Sequence, residues 1–222
     1  MSNTAIRGEK GEKLKNLLAV VADIEDSKKL GFKHRKKIFN IIKNVLLNNY
    51  ENEEYRKIMR NIMPAITRGD SIEIVSDCWW LVAKILHEIM YRVSIETNIL
   101  LKFRVGIGVG DVYKLSNYAD ESDGPAFWGA RKALEIAERN DMITNIYIYY
   151  VKNNYNFKIK IYEAKNLMMY MIFLHNLNME KMKYSYEYIW NKNSDKRVDK
   201  NFYFEINSIK AIIRLSERMC RY

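Results

Sequence analysis

The rhythm of apolar and polar positions changes several times along the chain. Leu17–Ile24 (LLAVVADI) is a continuous apolar run interrupted only by Asp23, and it predicts a central strand buried on both faces. From Phe32 to about Asn48, apolar residues fall at Phe32, Ile38, Phe39, Ile41, Ile42, Val45 and Leu46, the spacing of a helix. Residues 65–75 split into two short strand-like pieces around Gly69-Asp70, a hairpin signal. A helix is expected from about Cys78 to Ser94, with Asp77 as its cap. Leu101–Val112 predicts a strand that carries glycine at 106, 108 and 110. Asp123-Gly124-Pro125 opens a helix to about Asn140, with proline near the first turn. Asn145–Val151 and Phe157–Tyr162 predict a second hairpin. The resulting order, β-α-β-β-α-β-α-β, points to an α+β fold: a ferredoxin-like palm with helices packed on one face of its sheet.

The remainder is expected to be mostly helical. Ala164 to about Lys183 is a Met-rich helix, and Ser185–Lys192 a short one. Asp195–Lys200 is a charged loop, and Tyr203–Ile206 a strand or a turn. Ser208–Met219 is a helix capped by its serine. All nine glycines lie at or before Gly129, and both prolines (Pro64, Pro125) fall in the same part. That shift in composition suggests a boundary in the 140s to 160s and divides the chain into a palm over residues 1–162 and a basic helical C-terminal region over residues 163–222.

With 222 residues, 48% of them hydrophobic, the chain can bury a sizeable core. No run of 18 apolar residues occurs, so no membrane span is expected. Met1–Lys15 lacks the apolar stretch of a signal peptide. Cys78 and Cys220 lie far apart without metal spacing, which reads as two free thiols in a reduced cytoplasm. The formal charge is +10, and residues 141–222 carry 14 Lys+Arg against 8 Asp+Glu. A basic balance attracts anions such as nucleotides or nucleic acid, although Lys and Asn richness also follows from an AT-rich genome.

The chemistry concentrates at two acids. A nucleoside triphosphate carries about four negative charges and is usually handled with Mg²⁺ held by carboxylates from separate elements. Asp23 ends the first strand and Asp70 sits at the hairpin turn, so in a palm the two should meet. Glu25, Asp26 and Glu73 are nearby candidates, and the Ile24 carbonyl is a further ligand. The glycine strand is not a dinucleotide fingerprint, because its glycines lie inside a strand and no helix follows them directly. It signals close approach either by a ligand or by a packed helix. The helix opening at Pro125 offers free N–H groups to a phosphate, and Arg131 follows within it.

Four blocks then line up in order. Val20-Val21-Ala22-Asp23-Ile24, Gly69–Val75 and Arg104–Val112 resemble the metal strand, the hairpin and the Arg-Ile-Gly-Ile strand of class III nucleotidyl cyclases. Asp123–Phe127 with Ala130–Leu134 most resembles the SatD family, over residues 17 to about 140. The resemblance implies a palm shared with class III cyclases, GGDEF diguanylate cyclases and CRISPR polymerase palms. In such relatives two aspartates hold Mg²⁺ or Mn²⁺ while a 3′-hydroxyl attacks an α-phosphate and pyrophosphate leaves. On this chain the metal positions are Asp23 and Asp70. Ile24, Asp26, Ser27, Lys28 and Gly69 are expected near the phosphates, and Arg131 or Lys132 would neutralise developing charge. The resemblance also implies a ribonucleoside triphosphate substrate, a cyclic nucleotide product and a homodimer. The alternative is a regulator whose palm senses nucleotide or is inert. Its C-terminal region would bind DNA as a helix-turn-helix, with Lys210, Arg214 and Arg218 facing phosphates.

Overall fold

The computed structural model describes residues 12–67, 70–148, 155–190 and 200–220. Five strands form one sheet in the order β2-β3-β1-β4-β5: β1 Glu12–Ile24, β2 Ala65–Thr67, β3 Ser71–Ser76, β4 Phe103–Lys114 and β5 Thr144–Ile148. Helices α1 (Phe32–Glu51) and α2 (Glu53–Ile58) precede β2. Between the later strands lie α3 (Trp79–Thr97) and α4 (Pro125–Arg139). Beyond them come α5 (Tyr155–His175), α6 (Met179–Trp190) and α7 (Lys200–Cys220). The expected palm order is present. β1 pairs antiparallel with β3 on one side and β4 on the other, while β4 and β5 run parallel. A strand enclosed in this way has no edge, and this is why Leu17–Ala22 could be continuously apolar.

Alternation along β1 divides the core. Leu18, Val20, Ala22 and Ile24 pack with residues of α1, α3 and α5. Leu17, Ala19 and Val21 pack with Ala126, Phe127 and Ala130 of α4. Helices therefore cover both faces, and the expectation of one covered face is corrected. The glycine strand makes this possible. A Cβ on Gly106 would overlap the backbone of Ala130 and Leu134, and one on Gly108 would overlap Ala126 and Ala130. The open choice between ligand and helix is settled for these two positions: the close neighbour is α4.

Several local expectations change. Phe157–Tyr162 lies inside α5, so the second hairpin does not form; residues 149–154, its expected turn, lie outside the described residues. The FKIKIY alternation suggested a strand, but Lys160 and Glu163 form an i,i+3 ion pair at 2.8 Å, which a strand disfavours because it puts those positions on opposite faces. Tyr203–Ile206 and Ser208 are interior to α7, whose buried stripe runs through Phe202, Ile206 and Ile213. Ser208 is thus no cap. Asp77 is no cap either: it pairs with Arg60, and the N–H of Cys78 is taken by Ser76 Oγ at 3.1 Å. Cys78 is disulfide-bonded, which corrects the expected pair of free thiols; the Cys220 side chain lies outside the described residues. The charged loop expected at 195–200 also lies largely outside them.

The C-terminal helices are tied to α3 by a buried polar knot. The Tyr170 hydroxyl and His87 Nδ1 are 2.7 Å apart, and Trp190 Nε1 donates to the same nitrogen at 3.1 Å. Because an indole N–H can only donate, Nδ1 carries no proton; the His87 proton sits on Nε2 and reaches Ser185 Oγ at 3.1 Å. Among the described residues no helix is long and apolar enough to cross a membrane.

Candidate functional site

Asp23 lies at the C-terminal end of β1, opposite Ser71 on β3 and Arg104 on β4. Paired residues share a face, so Asp23, Ser71 and Arg104 all lie on the α4 side of the sheet. Asp70 immediately precedes β3. The structure brings the two aspartates together with two hydroxyls. Ser71 Oγ donates to Asp23 Oδ1 at 3.0 Å, and Ser27 Oγ donates to Asp70 Oδ2 at 2.5 Å.

The electrostatics match that geometry. Burial pushes the Asp23 carboxyl above its ordinary value, and the neighbouring charge of Asp70 pushes it further. The Ser71 hydroxyl opposes the shift, Glu138 adds to it, and Arg104 opposes it most weakly. Arg104 is turned away toward Asp141 at 3.0 Å and the Met142 carbonyl at 3.1 Å. Two carboxylates thus share a half-buried place with little compensating positive charge. Among the described residues no group of three or more His, Cys, Asp or Glu side chains converges. The hard oxygen donors present suit Mg²⁺ or Mn²⁺.

The other expected residues divide. Ser27, 7% exposed, belongs to a single 3₁₀ turn over Ser27–Lys29 that follows Asp26. Asp26 is exposed and pairs with Lys29, and Lys28 is exposed. Gly69 lies outside the described residues. Glu25 pairs with His175 of α5 at 3.1 Å.

Arg131 is held elsewhere. It pairs with Glu73 at 3.3 Å and Asp123 at 3.6 Å, and its guanidinium lies over the Phe127 ring. Glu73 is 5% exposed, so this pair balances a buried charge. Arg131 stands seven residues before Glu138 on α4, about 10 Å along the helix axis from the residue whose charge reaches Asp23. Lys132 pairs with Glu135 at 2.9 Å. Neither cation touches Asp23 or Asp70 in any described contact.

Sequence reasoning missed Ser71 as a partner of Asp23, because seeing it requires the β1–β3 register. It also missed Arg35, which donates to the Ser27 carbonyl at 3.0 Å. On α7, Lys210 lies over the Tyr188 ring and donates to the Tyr188 carbonyl, while Arg214 and Arg218 are exposed.

Residues 17–164 match the SatD family. The chain belongs to this family. No curated protein matches it. Among solved structures, it is similar to the guanylyl cyclase Cya2, at 13% identity and a TM-score of 0.39 over 58% of this chain and 73% of that one. It is also similar to the catalytic core of a rhodopsin-guanylyl cyclase with converted specificity in complex with ATPalphaS. That match has 14% identity and a TM-score of 0.39, covering 56% of this SatD-family chain and 74% of the other. A third is the adenylyl cyclase CyaB from P. aeruginosa, at 13% identity and a TM-score of 0.35 over 61% and 76%.

Proposed function

We propose that this SatD-family protein is a divalent-metal-dependent enzyme acting on a ribonucleoside triphosphate, with nucleotidyl cyclisation as its reaction and a homodimer as its working form. One observation carries the reading: Asp23 and Asp70 meet at one end of the sheet, and the Asp23 carboxyl is raised by burial and by Asp70. Such a pair is costly by itself and becomes favourable around a cation. Asp23, Asp70 and the Ile24 carbonyl would hold Mg²⁺ or Mn²⁺. When bound, the metal would neutralise phosphate charge and lower the barrier to attack at an α-phosphate.

The chain's own groups orient that chemistry. Ser71 and Ser27 fix the rotation of the two carboxylates. Asp26, Ser27, Lys28 and Gly69 would border the phosphates at the turn after β1. Lys132 supplies positive charge on α4, and Arg131 does so only if the substrate draws it from Glu73.

The test is incubation with each of the four ribonucleoside triphosphates and Mg²⁺ or Mn²⁺, read by mass spectrometry beside Asp70→Ala. A cyclic or linked nucleotide that appears only with Asp70 intact supports the enzyme and names its base. The absence of product from all four overturns it.

A second reading, a regulator with a DNA-binding C-terminal region, is favoured by the exposure of Arg214 and Arg218 on α7. Lys210, folded onto Tyr188, would not take part. Salt-dependent DNA binding that is lost on replacing both arginines with glutamine would support it.

A further inference from the structure

We propose that Arg35 is a positioning residue for Asp70, acting through Ser27. The proposal rests on reading Asp23 and Asp70 as metal-holding residues and extends that site by one side chain.

Arg35 lies in the first turn of α1, where its N–H bonds the Gly31 carbonyl at 3.0 Å. Its Nη2 donates to the Ser27 carbonyl at 3.0 Å. The same serine's hydroxyl donates to Asp70 Oδ2 at 2.5 Å. A guanidinium on a helix, one turn of backbone and a carboxylate beside a hairpin are thereby linked in series.

The turn needs such support. Asp26 enters it at φ 55, a left-handed conformation that a non-glycine residue adopts at a cost. The Asp26–Lys29 ion pair joins two exposed side chains and holds the turn weakly. Within the turn, the Lys29 N–H bonds the Asp26 carbonyl at 2.8 Å and the Leu30 N–H bonds the Ser27 carbonyl at 3.1 Å. Beyond the turn's own backbone, Ser27 is held by the Asp70 carboxylate on one side and by Arg35 on the other. Arg35 Nε is buried and has no partner, so the guanidinium is not placed there by a full set of its own hydrogen bonds. Its described bond is the one to Ser27.

The consequence falls on Asp70. A carboxylate already fixed in rotation loses less freedom on taking a cation than one that must first be ordered. Loss of Arg35 loosens the turn, releases the Ser27 hydroxyl and weakens cation binding at Asp70 without altering either carboxylate. Lysine would not substitute well, because a point charge on a flexible stem does not reproduce the planar donor fork.

Two measurements on the full chain test this. The first is amide hydrogen exchange of residues 27–30 in metal-free protein. Arg35→Gln is expected to raise exchange there about tenfold, while the exposed neighbour variant Lys36→Gln leaves it unchanged. The second is Mn²⁺ titration followed by electron paramagnetic resonance. Arg35→Gln and Ser27→Ala are each expected to raise the Kd about tenfold, as supporting partners of metal ligands do, and the double variant no further. Unchanged exchange in Arg35→Gln, or additive effects on Kd, overturns the proposal.

If the native chain binds no Mn²⁺, or if binding survives Asp70→Asn, the metal reading fails. The exchange result then decides the Arg35–Ser27 link alone: a rise sustains it and no rise overturns it. Should Arg35→Gln fail to fold by circular dichroism, Arg35→Lys takes its place with the same expected rise.

Discussion

The Ser71 hydroxyl donates to Asp23 Oδ1 at 3.0 Å from the position directly opposite it on the neighbouring strand. This bond is the largest influence favouring the ionised Asp23, ahead of the charge of Arg104 and against burial and the charge of Asp70. The balance between those influences gives the first prediction. In Asp70→Asn the Asp23 carboxyl moves down toward its ordinary value. Carbon-13 titration of the carboxyl group reads it, and an unmoved Asp23 would mean that the two aspartates do not share a field. The stability consequence has a definite sign. A raised carboxyl keeps its proton in the fold after the unfolded chain has lost it. The metal-free protein therefore loses this contribution as pH rises from the ordinary carboxylate range through the raised value.

His87 acts in the opposite sense. Burial lowers it from its ordinary value to about 3. The imidazole is therefore neutral in the fold, accepting from Tyr170 and Trp190. This one contribution is fully present above about pH 6.5 and is lost, at on the order of 1 kcal/mol per pH unit, as the solution is acidified below that point. Urea unfolding between pH 7 and pH 5 should show the slope in the native chain, and His87→Gln should flatten it.

Arg131 and Glu73 form a pair in which one member is buried and the other half-exposed. Arg131→Ala removes one partner of the buried Glu73 charge, with an expected loss of about 2 kcal/mol. Adding Glu73→Gln should recover part of that loss, because the buried charge that Arg131 balances is then gone. A double-mutant cycle by chemical denaturation measures it, and purely additive effects would contradict the pairing.

Gly108 and Gly31 should respond very differently to alanine. At Gly108 a methyl group would meet the backbone of α4, and strand and helix would have to separate. The expected cost is about 3 kcal/mol, the upper range for overpacking. At Gly31 nothing lies within 4 Å of the added carbon, so the change should stay within about 1 kcal/mol. Thermal unfolding of the two variants compares them.

What the sequence determined by itself was local. The apolar run at Leu17–Ala22, the helical spacing from Ile38 to Leu46, the Gly69-Asp70 hairpin signal and Pro125 at a first turn each express a preference that a few neighbouring residues share. Those preferences survived folding because the tertiary structure required the same thing. Where local rhythm was ambiguous, long-range burial decided. FKIKIY alternates like a strand, yet it continues the helix that buries Ala164 and Leu167. Tyr203–Ile206 joined a helix because Phe202, Ile206 and Ile213 form one stripe. The candidate site shows the same division. The sequence named Asp23 and Asp70. It could not show that Ser27 holds one and Ser71 the other, or that Arg131 answers to Glu73, because these contacts join residues 43, 48 and 58 positions apart. Register and the choice of sheet face belong to the whole chain, and only the tertiary structure decided them.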